Sequence, residues 1–177
     1  EMHLNVRTQK LNVRCGASNT DINCIDAQEF PPMPMPDLAN GIQLNVADLK
    51  EMIQQVAFSA SSDEARPVLT GVQLLVQGNK ITLSAADGFR LSVRHAELSS
   101  PAPRAINAII PARALIELAR NSSDGDQALT MVLPPSRGQV IFRMQNFELV
   151  SQLIEGVYPD LTQVIPRSSQ TRTVMTT

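Results

Sequence analysis

The chain has 177 residues, of which 43% are hydrophobic and only 3% aromatic, and its formal net charge at pH 7 is −2. This length accommodates one or two domains, and the composition predicts an aliphatic core of the kind that suits β-sheets. Proteins that bind DNA tightly and read its sequence are normally basic, so the charge excludes a general DNA-binding surface and leaves only local or weak contacts.

The cysteines and the hydropathy pattern predict a cytoplasmic protein. The only cysteines, Cys15 and Cys24, have a spacing that matches neither a disulfide framework nor a zinc site, and we expect both to lie buried or half-buried on strands. No apolar run is long enough to span a membrane, and no secretion signal opens the sequence. We therefore expect no metal, no other cofactor and no membrane partner.

The first 36 residues predict a small β-meander and a linker. Alternating apolar and polar positions predict a half-buried strand over residues 2–8, a second strand over 11–15 and a third over 20–26. A meander of this size is too small to be stable alone. Four prolines within residues 31–36 then exclude helix and central strand, which predicts an extended linker and a domain boundary.

The next segment predicts two amphipathic helices among short strands. Apolar spacing predicts one helix from Val46 to about residues 59–62 and a second that begins at Pro111 and ends at residues 121–125. Alternation and turn residues predict strands over residues 42–45, 71–76, 80–85, 89–97, 105–110, 128–133, 139–144 and 147–153. We summarise the order from residue 42 to 166 as β-α-β-β-β-α-β-β-β, an α+β fold with both helices on one side of the sheets.

A longer repeat indicates that the parent protein contains several copies of this domain. Tyr158-Pro159-Asp160 closes the second segment as Glu29-Phe30-Pro31 closes the first, and Tyr158 lies 128 positions after Phe30. Residues 171–177 alternate again and predict the first strand of a further domain. We therefore expect the chain to be part of a longer protein.

No segment predicts a catalytic site. His3 and His95 lie in different segments, and the chain has no glycine-rich phosphate loop, nucleophile elbow or metal-ligand cluster. The pair Asp87-Gly88 has the composition of a hairpin turn, and an acidic site there is the weaker interpretation. We therefore predict that the chain is not an enzyme.

Two surfaces are candidates for binding, and each has a plain structural alternative. Arg113 and Arg120 project from one helical face, as do Lys50 and Gln54, and such faces can contact phosphates or be ordinary solvated faces. Small and apolar residues near turns and connectors can form a peptide pocket or simply pack on the sheet, which leaves both interpretations open: Leu69, Gly71, Gly88, Leu91, Pro159 and Val164.

Three motifs in order resemble the bacterial sliding clamp, the beta subunit of DNA polymerase III. They are Arg-Pro-Val-Leu-Thr-Gly at 66–71, Ala-Ala-Asp-Gly-Phe-Arg-Leu at 85–91 and Leu-Ile-Glu-Gly-Val-Tyr-Pro-Asp at 153–160. The Phe30-Pro31 linker and the helix that starts Ile110-Pro111-Ala112-Arg113 fit the same family. Each motif is weak singly, but the ordered set is specific, and the resemblance covers nearly the whole chain.

The resemblance implies a three-domain subunit, two copies of which close into a ring around double-stranded DNA with the helices lining the hole. It assigns residues 1–36 to the end of the first domain and its linker, 37–167 to the middle domain, and 168–177 to the start of the third. It implies a non-catalytic processivity subunit of a DNA-directed DNA polymerase. The implied DNA-facing residues are Lys50, Gln54, Arg113 and Arg120.

The resemblance also implies a pocket between the middle and third domains for peptides from polymerase, clamp-loader and repair proteins. Its middle-domain half is Leu69, Ala86, Gly88, Phe89, Arg90, Leu91, Pro159 and Val164. Phe89 stands where family members often have histidine, and Leu161-Thr162-Gln163 where they often have Tyr-Arg-Arg, so we expect altered peptide recognition. A β-rich module that binds peptides and has no role on DNA is the alternative, and an enzyme with Asp87 in an acidic site is a distant third.

Overall fold

The computed structural model describes residues 1–30, 37–122, 128–134, 138–145, 147–166, 168, 170–171 and 173–174. It divides the chain into two compact units, residues 1–35 and residues 36–177. The predicted linker at residues 31–36 lies outside the described residues, and the two units are described separately below.

The first unit is a three-stranded antiparallel sheet in the order β1 (Met2–Asn5), β2 (Lys10–Cys15) and β3 (Ser18–Asn23). The predicted meander is confirmed, but the prediction of a half-buried strand over residues 2–8 is wrong. The strand ends at Asn5, and Met2 and Leu4 are 78% and 54% exposed. The described part of this unit supplies no α-helix and no second sheet to cover a face. Cys15 is likewise exposed, and Cys24 is half-buried just beyond β3.

The second unit alternates helices and strands as the sequence predicts. Its elements are β4 (Ile42–Asn45), α1 (Val46–Val56), β5 (Gly71–Gln77), β6 (Lys80–Ala86), β7 (Leu91–Glu97), β8 (Ile106–Pro111), α2 (Ala112–Asn121), β9 (Ala128–Val132), β10 (Gln139–Met144) and β11 (Phe147–Gln152). The α+β class is confirmed. Our summary of the order is one strand short, because four strands and not three separate the helices, so that each half has the order β-α-β-β-β.

The two halves exchange their first strands. One sheet has the order β7-β6-β5-β8 and the other β11-β10-β9-β4, and all neighbouring strands are antiparallel. Thus β8, from the second half, pairs with β5, while β4, from the first half, pairs with β9. Neither half completes its sheet alone, so the halves are expected to fold together.

Both helices follow directly on an exchanged strand and pack against the same core. The side chain of Asn45 caps α1 by accepting a hydrogen bond from the backbone N of Asp48 (3.1 Å). Pro111, the predicted helix start, ends β8, and α2 begins one position later at Ala112. The buried faces repeat every three or four residues: Val46, Leu49, Met52, Ile53 and Val56 on α1, and Ala112, Leu115, Leu118 and Ala119 on α2.

The core of the second unit is one continuous aliphatic cluster that includes residues from both sheets and both helices. Leu83, Leu129 and Ile110 are fully buried at its centre, where each side chain contributes roughly 1.5–3 kcal/mol. Within the described ranges, no helix has the length and hydropathy needed to cross a membrane.

Element ends differ from the predictions where local hydrogen bonds compete with the regular structure. The α-helix α1 ends at Val56 and continues as a 3-10 turn over Ala57–Ser59. The strand predicted from residue 89 begins at Leu91, because residues 87–90 form a turn. The strand predicted over residues 171–177 is absent at residues 171, 173 and 174, and the remaining positions lie outside the described residues.

Candidate functional site

The helices α1 and α2 lie side by side, and an open groove of about 490 Å³ runs between them on their outer surface. We call this the helix groove. It contains three of the four predicted DNA-facing residues. Its lining is Lys50, Ile53, Gln54, Ala57, Phe58, Ile116, Ala119 and Arg120.

Arg113, the fourth predicted residue, lies on the same helical surface. It lines an adjacent cavity of about 470 Å³, which shares Ala57 and Ile116 with the helix groove. The polar lining of this cavity includes Ser61, Glu64 and Arg113. The fold therefore presents the four predicted residues on one continuous surface.

The charge of this surface is balanced and not strongly positive. The two helices together carry three basic and three acidic side chains. Lys50 donates from Nζ to the carbonyl oxygen of Ser122 (3.4 Å), and Arg120 Nη1 lies 3.6 Å from Glu117 Oε1. The Arg120–Glu117 pair is exposed, so it contributes little to stability. Such a surface can contact phosphates only weakly and without reading sequence.

The second candidate site centres on the connector, residues 153–160, which follows β11. Tyr158 is 7% exposed, and its hydroxyl accepts a hydrogen bond from the backbone N of Ala86 (3.1 Å) and donates to the carbonyl oxygen of Gly71 (3.5 Å). Burial raises the pKa of the Tyr158 phenol. Gly156 has φ +141°, and a Cβ there would lie 2.7 Å from Val68 Cγ2. The connector is thus fixed against the start of β5 and against the end of β6.

Asp87 organises the turn over residues 87–90, which together with its two flanking residues, Ala86 and Leu91, carries five of the eight predicted pocket residues. Its Oδ1 accepts hydrogen bonds from the backbone N of Phe89 (2.9 Å) and of Arg90 (3.0 Å), and its Oδ2 accepts one from Arg90 Nε (2.8 Å). These bonds, with the one from Phe89 the largest contribution, lower the pKa of Asp87. The carboxylate is fully engaged in holding the turn, which favours the hairpin interpretation over an acidic catalytic site.

The structure brings some of the predicted pocket residues close together and leaves others apart. Ala86 is buried beside Tyr158, Leu69 is half-buried just before β5, and Phe89 is 97% exposed at the tip of the turn. The other predicted residues range from half-buried to exposed: Gly88, Arg90, Leu91 and Pro159. Val164 is 65% exposed and its backbone N bonds locally to the Leu161 carbonyl (3.1 Å), so the described contacts do not link Val164 to the rest.

Three residues that the sequence interpretation left out belong to this region. Arg66 Nη1 lies 3.6 Å from the position that a Cβ on Gly88 would take. The ring of Phe58 lies with its centroid 5.8 Å from Cζ of Arg90. The sequence interpretation used Tyr158 only as part of the Tyr-Pro-Asp motif that closes the domain, and did not predict its hydrogen bonds. Their contacts join segments far apart in sequence, and periodicity carries no signal for such contacts.

No group of metal-ligating side chains is found in the part of the chain that the structure describes. The side chains of Thr162 and Gln163 donate to Asp160, and these bonds, with that of Thr162 the largest, lower the pKa of Asp160. Asp160 therefore caps the short turn over Leu161–Gln163.

Sequence comparisons match one family. The family model for the DNA polymerase III beta subunit, central domain, matches residues 43–160. A protein named Beta sliding clamp from Bacillus subtilis is 34% identical over 177 residues, which cover 99% of this chain and 46% of the relative. Another of that name from Staphylococcus epidermidis is 37% identical over 156 residues, covering 88% and 41%. The chain thus spans less than half the length of these relatives.

Solved structures match the same fold. The crystal structure of the DNA polymerase sliding clamp from Bacillus subtilis superposes with a TM-score of 0.80 at 33% identity, covering 95% of this chain and 43% of the other. That of the DNA polymerase III beta chain from Streptococcus pneumoniae gives a TM-score of 0.76 at 26% identity, covering 94% and 44%. Both structures extend well beyond the matched region.

Proposed function

Because the chain belongs to the DNA polymerase III beta subunit family and contains that family's central domain, we propose that it is a segment of a DNA sliding clamp. Its parent protein forms a homodimeric ring that encircles duplex DNA and tethers the replicative polymerase and other partners. The segment contributes no catalytic group. It supports a polymerase holoenzyme by keeping it on its template, in the cytoplasm and at the nucleoid.

The helix groove is the observation that carries this proposal. Lys50, Gln54 and Arg120 line one groove between two helices that contact each other, and Arg113 lies on the same surface. The balanced charge suits a ring that must slide, because strong phosphate binding would slow movement along DNA. We assign these four residues to the DNA-facing surface.

The domain assignment follows the family. Residues 1–36 are the end of the first clamp domain with its linker, residues 37–167 the middle domain, and residues 168–177 the connector and start of the third. The division of the chain near residue 35 and the family match over residues 43–160 support this assignment.

The connector region is the middle-domain half of a pocket for partner peptides. Its proposed residues are Leu69, Ala86, Gly88, Phe89, Arg90, Leu91, Pro159 and Val164. The hydrogen bond of Tyr158 to Ala86 and the close approach of the Gly156 backbone to Val68 support a preformed site. The other half belongs to the third domain, so this chain alone should bind such peptides weakly.

A DNA titration of the chain tests the assignment of the helix groove. Titration of isotope-labelled chain with a short random-sequence duplex at low salt should shift NMR signals of α1 and α2. Replacing Arg113 and Arg120 together by glutamine should flatten the dependence of the binding constant on salt, since each lost phosphate contact removes close to one unit of slope.

Arg143→Gln is the matched control. Arg143 lies on β10, is 48% exposed and is outside the helix groove. Equal slopes for the wild type and the double variant, or signal shifts centred on β10, would remove the helix groove from the DNA path.

A further inference from the structure

Two apolar side chains are exposed in the helix groove, among the residues that we assign to the DNA path. Phe58 is 57% exposed and Ile116 is 48% exposed, and both line the groove together with Lys50, Gln54 and Arg120. The outside of a DNA duplex offers mainly phosphates and sugars, because the bases are paired and stacked inside it. An aromatic ring and a branched aliphatic side chain therefore gain little from the outer surface of an intact duplex.

The backbone holds the ring of Phe58 at the surface. Phe58 is the middle residue of the 3-10 turn over Ala57–Ser59, which continues α1. Its neighbours Ala57 and Ser59 are both buried, and the hydroxyls of Ser59 and Ser92 share a hydrogen bond with 2.7 Å between the oxygens. Because the residues on both sides are anchored in the core, the turn presents the Phe58 ring outward.

The ring of Phe58 is oriented but not covered. Cζ of Arg90 lies over the ring, 5.8 Å from its centroid, within the range of a cation–π contact. This contact restricts how the ring can turn. Phe58 keeps its large exposed fraction with the contact in place, so a flat ligand can reach the ring without displacing Arg90.

The rest of the groove combines an apolar floor with cations. Its buried lining is apolar, namely Ile53, Ala57 and Ala119, while the side chain of Arg120 is 77% exposed and Lys50 lies in the same lining. Proteins that bind single-stranded nucleic acid without reading its sequence combine cations along the backbone with aromatic side chains on which bases stack. A groove of about 490 Å³ has the size of a site for a small organic group, and a nucleobase is such a group.

We propose that the helix groove binds one unpaired nucleobase of single-stranded DNA, an inference that rests on the proposed DNA-facing role of this groove. The base lies against Phe58 and Ile116, and a neighbouring phosphate lies near Arg120. An unpaired base can stack there directly, whereas a base inside a duplex must first be pulled out of its stack. The chain therefore favours DNA in which a single strand adjoins a duplex over a fully paired duplex.

The preference is small and does not depend on the base. Every base has a flat π-face, so stacking on Phe58 tolerates any sequence. Stacking of one base on one aromatic side chain changes affinity by about fivefold or more, and we expect about five- to tenfold for this open groove. Glu117 lies 3.6 Å from Arg120 and limits the contribution of the phosphate. A preference of this size biases the position of the protein without preventing movement along DNA.

The test separates the base from its phosphate by comparing two tails on one duplex. One fluorescent duplex carries a short single-stranded tail of thymidines, and its partner carries the same number of abasic sugar phosphates, so the charge is equal. The chain is titrated with each at low salt, and the measured quantity is the ratio of Kd for the abasic tail to Kd for the thymidine tail. We expect a ratio of about five to ten.

The variants distinguish the base contact from the phosphate contact. Phe58→Leu keeps an apolar side chain but removes the aromatic face, so the ratio should fall toward one, while Phe58→Trp should preserve it. Arg120→Gln should weaken the binding of both tails alike and leave the ratio unchanged. Phe30→Leu is the matched control, because Phe30 is an exposed phenylalanine of the first unit that does not line the groove.

The results that overturn the inference are distinguishable from failure of the proposed function. If a blunt duplex shifts NMR signals of α1 and α2 but the two tails bind with equal Kd, the DNA-facing groove stands and the base site is wrong. A ratio that stays high in Phe58→Leu would also overturn the base site. If none of the DNA probes shifts signals of α1 and α2, both the base site and the DNA-facing groove are wrong.

Discussion

Tyr158 shows how one side chain attaches the connector to the sheet. It is the only tyrosine of the chain, and its buried hydroxyl bonds to the backbone of both Ala86 and Gly71. Removing the hydroxyl leaves the N–H of Ala86 buried without this partner. Loss of a buried hydrogen bond of this kind costs about 1–3 kcal/mol.

We therefore expect Tyr158→Phe to lower the free energy of unfolding by about 1–3 kcal/mol in urea denaturation. Phe89→Leu serves as a control, because Phe89 is 97% exposed and its replacement should change stability by less than about 0.5 kcal/mol. Equal unfolding midpoints for Tyr158→Phe and the wild type would show that the hydroxyl does not hold the connector.

The same residue predicts an alkaline pH dependence. Burial raises the pKa of Tyr158 above the ordinary value of 10.0, so the neutral phenol stabilises the folded state. This contribution is complete below the pKa of the unfolded chain and is lost as pH rises through the raised folded-state pKa. Phenolate absorbance reports this group directly, because the chain has no other tyrosine and no tryptophan. In Tyr158→Phe this alkaline loss of stability should be absent.

The role of a residue was predictable from sequence only where its contacts are with residues nearby in the sequence. The composition of Asp87-Gly88 predicted a turn, and the hydrogen bonds of Asp87 to its own neighbours agree with it. The approach of Arg66 to Gly88 and of Phe58 to Arg90 joins segments more than twenty positions apart. No local pattern encodes which distant side chains meet, so these contacts required the fold.

The helix start at Asn45 is the element that local sequence explains best. Its side chain accepts a hydrogen bond from the backbone N of Asp48, which satisfies one of the donors left open at a helix start. Asn45→Ala should lower stability by about 0.5–2 kcal/mol, and Asn45→Asp should keep most of it. Urea unfolding of the two variants, side by side, measures the difference, and equal losses in both would exclude capping as the cause.

The strands were predictable as elements but not in their pairing. Alternation and turn residues placed all eight strands of the second unit within two residues of their observed ends. The exchange of β4 and β8 between the halves was not predicted, because the hydrogen-bonded partner of a strand is set by the whole fold. In the first unit, alternation predicted burial that β1 does not have, since alternation with a period of two shows only that one face of a strand is apolar.

At the scale of the whole molecule, the helix surface has balanced charge and belongs to a chain whose net charge is −2. Weak phosphate contacts alone would not keep a protein on DNA at physiological salt. The proposed closed ring would not need strong contacts, because its topology would prevent escape while a surface of balanced charge would permit sliding. Retention therefore should depend on the shape of the DNA more than on its sequence.

The most direct test of the central claim is the retention of the full-length parent protein on DNA of different topology. The protein is loaded onto a nicked circular plasmid, and half of the sample is then linearised with a restriction enzyme before gel filtration at moderate salt. We predict that the protein stays with the circular DNA and is lost from the linear DNA through its ends. Equal retention on both forms would contradict a sliding clamp.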